Sequence, residues 1–148
     1  MAMGSFAATV GKWCRRTKER QRAVFQGSAQ RMFVDVLSRT PRITGFLANT
    51  LEASLSGPQS IRADAIPPSD AAPNSYPLPA DFGLVISSAT IGDTIYGSFG
   101  AAYARPVEYG TKFQNPAAMV RLAAQNWPHH VAETVREARS AAQGRSPQ

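Results

Sequence analysis

Hydrophobic positions along the first forty residues recur at helical spacing. Phe6, Val10, Trp13 and Cys14 form one apolar set, and Val24, Phe25, Ser28, Met32, Phe33, Val36 and Leu37 resume it after a polar middle. The spacing predicts one long helix over 5–38, or two in tandem, with Ser5 as N-cap. Gly27 allows a bend, since an interior glycine costs about 1 kcal/mol relative to alanine. Pro41, with Thr40 held extended before it, ends the helix. Thr44 to Thr50 reads as a capped single helical turn leading into a strand over Leu51–Leu55. Residues 57–81 hold Pro58, Pro67, Pro68, Pro73, Pro77 and Pro79 without periodicity, which predicts an extended loop. A loop of that length inside a domain is usually functional or disordered, and an arm that orders only against a neighbouring subunit accounts for it.

Further along, β-branched and aromatic residues flank Ile91-Gly92-Asp93, so Phe82–Thr90 and Thr94–Phe99 read as the strands of a β-hairpin. Pro106 excludes a central strand at 103–111, and Gly110 suits the end of a short helical turn. Asn115-Pro116 reads as N-cap and first residue of a closing helix that runs to about Ala142. Pro128 kinks or divides it, and the tail from Gly144 is expected to fray. The fold class is therefore α+β. It combines a long N-terminal helix, a small antiparallel sheet with a β-hairpin, a kinked C-terminal helix and a long proline-rich loop, in a single domain over 1–148.

The chain has 148 residues, enough for one core without disulfide or metal staples. Its single cysteine, Cys14, cannot form an internal disulfide; it reads as a small helical residue or as a thiol made reactive by Arg15 and Arg16. No stretch is long and apolar enough for a membrane span and no secretory signal is evident, so a soluble cytosolic protein is expected. The net charge of +6 is unevenly placed. Residues 1–45 hold nine basic and two acidic residues, a net of +7, and the remainder nets −1. Arg15, Arg16, Lys18, Arg20 and Arg22 make a ridge that suits contact with DNA or an acidic partner, or simply a solvated helix face.

Candidate chemistry is sparse. No phosphate loop, zinc spacing or nucleophile–base pattern is present, so no catalytic, cofactor or metal residue is assigned and an enzyme is not expected. His129 and His130 are adjacent and diverge on a helix, which predicts solvent exposure. Glu133 and Glu137 lie beside Arg136 and Arg139 as helix-surface charge. Glu108 differs. Set between Val107 and Tyr109, it is expected to be partly buried and to need a partner.

Three segments together resemble one family. They are Pro41 to Thr50, with its Thr44-Gly45 pair and Leu47; Tyr103-Ala104-Arg105-Pro106-Val107-Glu108-Tyr109-Gly110-Thr111; and the helix opening Pro116 to Ala123. They are similar to the tail-completion, or tail-to-head joining, proteins of long-tailed bacteriophages, also called minor tail components. The middle segment is the specific one, through Tyr103, Ala104, Val107, Glu108, Gly110 and Thr111. The closing helix departs from the pattern, with Leu122 where proline is common, and the proline-rich segment looks like an insertion.

The resemblance implies a ring subunit, typically hexameric, in the virion neck. It would join the tail tube or tail terminator to the head connector or stopper, leave a channel for DNA, and touch the passing genome at most transiently. Neither a cofactor nor a membrane is implied. Glu108 is expected to be held by a backbone or arginine partner, in its own chain or on a neighbouring subunit, or else to cap a local turn. Alternative readings are a DNA-binding protein using the basic helix, or another neck ring such as the tail terminator or stopper.

Overall fold

The computed structural model describes residues 2–79 and 81–144, with only the backbone described for Ala2 and Met3. The tail from 145 onward, expected to fray, lies outside the described residues. Helix α1 runs unbroken from Ala2 to Arg39. Ser5 is therefore inside the helix and not its cap; its carbonyl accepts the Thr9 hydroxyl at 2.8 Å. No break occurs at Gly27 either. A Cβ there would lie 2.7 Å from Thr134 Cγ2, so the glycine serves a close helix–helix approach and not a bend.

A single turn, α2 (Phe46–Asn49), follows Gly45, whose φ of 86° and lack of a Cβ let the Tyr76 carbonyl approach. Strand β1 (Leu51–Ser54) comes next. The expected hairpin is absent. Phe82–Ser88 is a helix, α3, and β2 (Tyr96–Phe99) pairs antiparallel with β1, Leu51 opposite Phe99 and Ser54 opposite Tyr96. The physical reason lies in the period: Phe82 and Ile86 are buried four residues apart while Leu84 between them is exposed, a spacing that suits a helix and not a strand.

Helix α4 (Ala104–Tyr109) ends at Gly110, with φ of 80°. The closing helix is divided in two, α5 (Met119–Gln125) and α6 (Trp127–Gln143), with Pro128 in the first turn of α6, where its missing N–H costs nothing. The expected start at Asn115-Pro116 is not used. Residues 115–118 instead tie back to α4, Ala117 N donating to Val107 O at 2.8 Å and Ala118 N to Glu108 O at 3.1 Å.

One face of the C-terminal half of α1 supplies Ala29, Phe33, Val36 and Leu37 to the core, where they meet Leu47, Leu51, Phe82, Ile86, Phe99, Val107 and Met119. Its other side carries α6, through Gly27 against Thr134 and an Arg31–Glu137 ion pair at 2.5 Å. The proline-rich loop is pinned to the chain's own body and not left as an arm awaiting a neighbour. Gln59 Nε2 donates to Thr50 O and Ser98 O at 2.8 Å each, Tyr76 N donates to Thr44 O at 3.1 Å, and Ala65 is buried.

Residues 4–23 of α1 are a different matter. Apart from Gly11 and Thr17 they are exposed, and the stem they form extends past the body.

Candidate functional site

The two sequence segments singled out above converge. Thr44, Gly45 and Leu47 line one concavity of about 230 Å³ together with Tyr103, Val107 and Gln114. Thr44 Oγ1 accepts the Phe46 amide at 3.2 Å and so opens α2. Phe46 stacks on Tyr103 with centroids 6.3 Å apart and meets Tyr76 edge-on at 5.1 Å. Burial pushes the Tyr103 phenol above its ordinary value, with the Leu47 backbone pulling the other way. Leu47, Ala104 and Val107 are core residues. Thr111 remains exposed and closes a turn, its amide donating to Gln114 O at 2.9 Å and its hydroxyl accepting Phe113 N at 3.2 Å.

Glu108 is only 7% exposed, and its partners lie in the same chain. Oε2 accepts Val120 N at 2.9 Å and Oε1 accepts Arg121 N at 3.0 Å, so the carboxylate covers the second and third amides of α5. Arg121 adds Nε to Oε1 at 3.1 Å and Nη2 to the Glu108 carbonyl at 2.8 Å. Its guanidinium also lies 4.7 Å from the centre of the Tyr109 ring. The residue at the N-cap position, Ala118, has φ of 47° and offers no side-chain cap, so Glu108 supplies from α4 what the local sequence lacks. Gly110 completes the device: a Cβ there would sit 2.8 Å from Pro116 N. The segment is a clasp between α4 and α5, built on an arginine and backbone amides.

A second carboxylate site was not anticipated. Asp35 on α1 accepts Arg39 Nε at 2.7 Å and Asn126 Nδ2 at 3.1 Å, and its Oδ2 lies 3.0 Å from His130 Nε2. His130 is thus largely covered, with a side-chain exposure of 12%, against the expectation of a solvated histidine; His129 is exposed as expected. The sequence signal was an aspartate inside the apolar run Phe33-Val34-Asp35-Val36-Leu37, four residues before Arg39. Burial pushes the Asp35 carboxyl up, but the bonds from Asn126, Arg39 and His130 outweigh it and hold the group below the usual carboxylate range.

The basic ridge divides. Arg22 is committed to the C-terminal end of α3, donating from Nε to Ala89 O at 3.1 Å and from Nη2 to Ser87 O at 3.3 Å. Arg15, Arg16, Lys18 and Arg20 are exposed and have no ion-pair partner among the described residues. On the stem's apolar side Phe6 is 72% and Trp13 67% exposed. Phe6, Val10, Trp13, Thr17 and Val24 follow spacings of three, four and seven, so they lie on one face. That face runs into a groove of about 430 Å³ between α1 and α6, lined by Val24, Phe25, Trp127, Val131 and Val135.

Among the described residues no group of three or more His, Cys, Asp or Glu side chains could hold a metal. Among the described residues every buried side-chain nitrogen and oxygen has a hydrogen-bond partner, so none is left aimed into a cavity. No helix among the described residues is long and apolar enough to cross a membrane. Comparison with protein-family models, with curated proteins and with solved structures finds no match to this chain.

Proposed function

We propose that this chain is a structural subunit of the neck of a long-tailed bacteriophage, closing with copies of itself into a ring at the head–tail junction. The ring joins the tail tube or terminator to the head connector or stopper, and its channel passes the genome. The observation that carries the assembly reading is the stem of α1, whose exposed Phe6, Val10 and Trp13 have no cover among the described residues. Aromatic residues displayed on one face mark a contact surface more often than a solvated one. The neck location rests on the resemblance carried by Tyr103–Thr111. In the clasp those residues set how α5 leaves α4, a stabilising role that suits a subunit under assembly load.

Sedimentation velocity and negative-stain imaging of the purified chain test this. Six-fold rings with an axial channel are expected, and a monomer at every concentration up to hundreds of micromolar overturns the reading.

A second reading is favoured by one observation, the free cations Arg15, Arg16, Lys18 and Arg20 on the stem. As a DNA-binding surface, four such contacts give a slope of about −3 to −4 in log affinity against log salt. A salt-insensitive or absent affinity for duplex DNA removes it.

A further inference from the structure

The stem of α1 lacks a partner among the described residues. Arg22 fastens α1 to the C-terminal end of α3, and Phe6 lies sixteen residues upstream on the same continuous helix, roughly 24 Å further out. No described residue of the chain covers Phe6, Val10 and Trp13, which leaves their face open to another molecule. The stem is also strongly basic: residues 2–22 hold six cations and one carboxylate, a net of +5.

A surface of the opposite character exists elsewhere. Residues 46–104 hold five carboxylates against the single Arg62, a net of −4. Two of the five, Glu52 on β1 and Asp81 before α3, border a groove of about 570 Å³ between the sheet and that helix. Leu78, Phe82 and Val85 line it, Leu78 being 50% exposed, and Arg62 sits on its rim. The lining is thus mixed: apolar side chains from Leu78, Phe82 and Val85 stand beside the polar Asn49, Thr50 and Gln59, with Glu52 and Asp81 as its two carboxylates. The stem is apolar on one face, with Arg16 and Arg20 beside Trp13 on the helix surface.

We infer that the stem of one copy docks into the groove between β1 and α3 of a second copy, with Trp13 and Phe6 as apolar anchors and Arg16 and Arg20 facing Glu52 and Asp81. The inference deepens the assembly reading and rests on it. Charge decides between the two ways that copies can meet. Stem against stem sets two helices of net +5 side by side, whereas stem against groove sets those cations against two carboxylates and one arginine, a net of −1. Donor and acceptor surfaces are different patches of one molecule, so the contact repeats head-to-tail unless two copies exchange stems reciprocally, and head-to-tail is the geometry that generates a ring when its rotation closes.

Two paired variants of the full chain test it: a stem variant (Phe6→Asp with Trp13→Asp) and a groove variant (Glu52→Arg with Asp81→Arg). All four positions are exposed, so each variant is expected to keep the wild-type melting temperature and helical circular dichroism. In sedimentation velocity the wild type is expected to assemble, and each variant alone to sediment as a monomer. An equimolar mixture of the two retains one intact stem and one intact groove, and should stop at a 1:1 dimer. Assembly of either variant alone at wild-type concentration overturns this contact and leaves the assembly reading standing. A mixture that yields no dimer does the same. A wild-type chain that stays monomeric overturns both, and uptake of that monomer by duplex DNA or by anionic lipid vesicles assigns the stem to that ligand instead.

Discussion

At the scale of single residues, two carboxylates hold elements together, and each makes a measurable prediction. Removing Glu108 strips two α5 amides and Arg121 of their acceptor, and hydrogen bonds to a charged group contribute about 1.5–3 kcal/mol. Glu108→Ala is therefore expected to lower unfolding free energy by about 2–3 kcal/mol in urea. Glu108→Gln should cost less, and Arg121→Ala about 1 kcal/mol, since the amides then keep their acceptor. Equal stability across the three variants would remove the clasp. Asp35 gives a pH signature. Its folded-state carboxyl titrates below the ordinary value of 3.8, so its contribution is complete above that value and is lost as pH falls through the folded one. Urea midpoints of the wild type should drop between pH 5 and pH 2 more steeply than those of Asp35→Asn, which is already destabilised at pH 7. Parallel profiles would mean that Asp35 does not carry the acid sensitivity.

At the scale of elements, Gly27 is the position where local and tertiary preferences conflict. Helix propensity favours alanine by about 1 kcal/mol. Against it, the added Cβ meets Thr134 Cγ2 at 2.7 Å, and Thr134 is held by its hydroxyl bond to His130 O at 2.8 Å. Overpacking costs about 1–3 kcal/mol, so Gly27→Ala should destabilise, and adding Thr134→Ser, which deletes the methyl, should restore or exceed wild-type stability. A melting temperature raised by Gly27→Ala alone contradicts the close approach. The same contrast between local and tertiary information explains what the sequence disclosed. Helix α1, the single turn α2, strand β1, the stop at Gly110 and the division at Pro128 are all written in short-range patterns, and all appear near their expected positions. Residues 82–88 misled because Val85 and Ile86 carry β-branched character, while burial follows the four-residue period. Asn115-Pro116 misled for another reason: α5 takes its cap from Glu108, a residue that no local motif could nominate. In the clasp, Glu108 and its need for a partner were legible, but Arg121 was not. The Asp35 cluster joins positions about ninety residues apart, beyond any spacing rule.

At the scale of the whole molecule, body and stem are unequal. The core draws on α1 only from Ala29 onward, so deleting residues 1–14 should leave the body's urea midpoint within experimental error while removing roughly that many residues' worth of helical circular dichroism. A large loss of stability would show that the stem packs on the body. Helix α5 carries the opposite lesson. Seven residues are too few for a stable isolated helix, and this one is fastened at its start by Glu108 and, just past its end, by Asp35 through Asn126. Its fasteners lie on α4 and α1, so the helix depends on both for its stability. Amide protons of Val120 and Arg121 should then exchange with deuterium only as fast as the entire body opens. Helix α5 is a keystone in this sense: two other elements of the chain, α4 and α1, must hold it for it to persist.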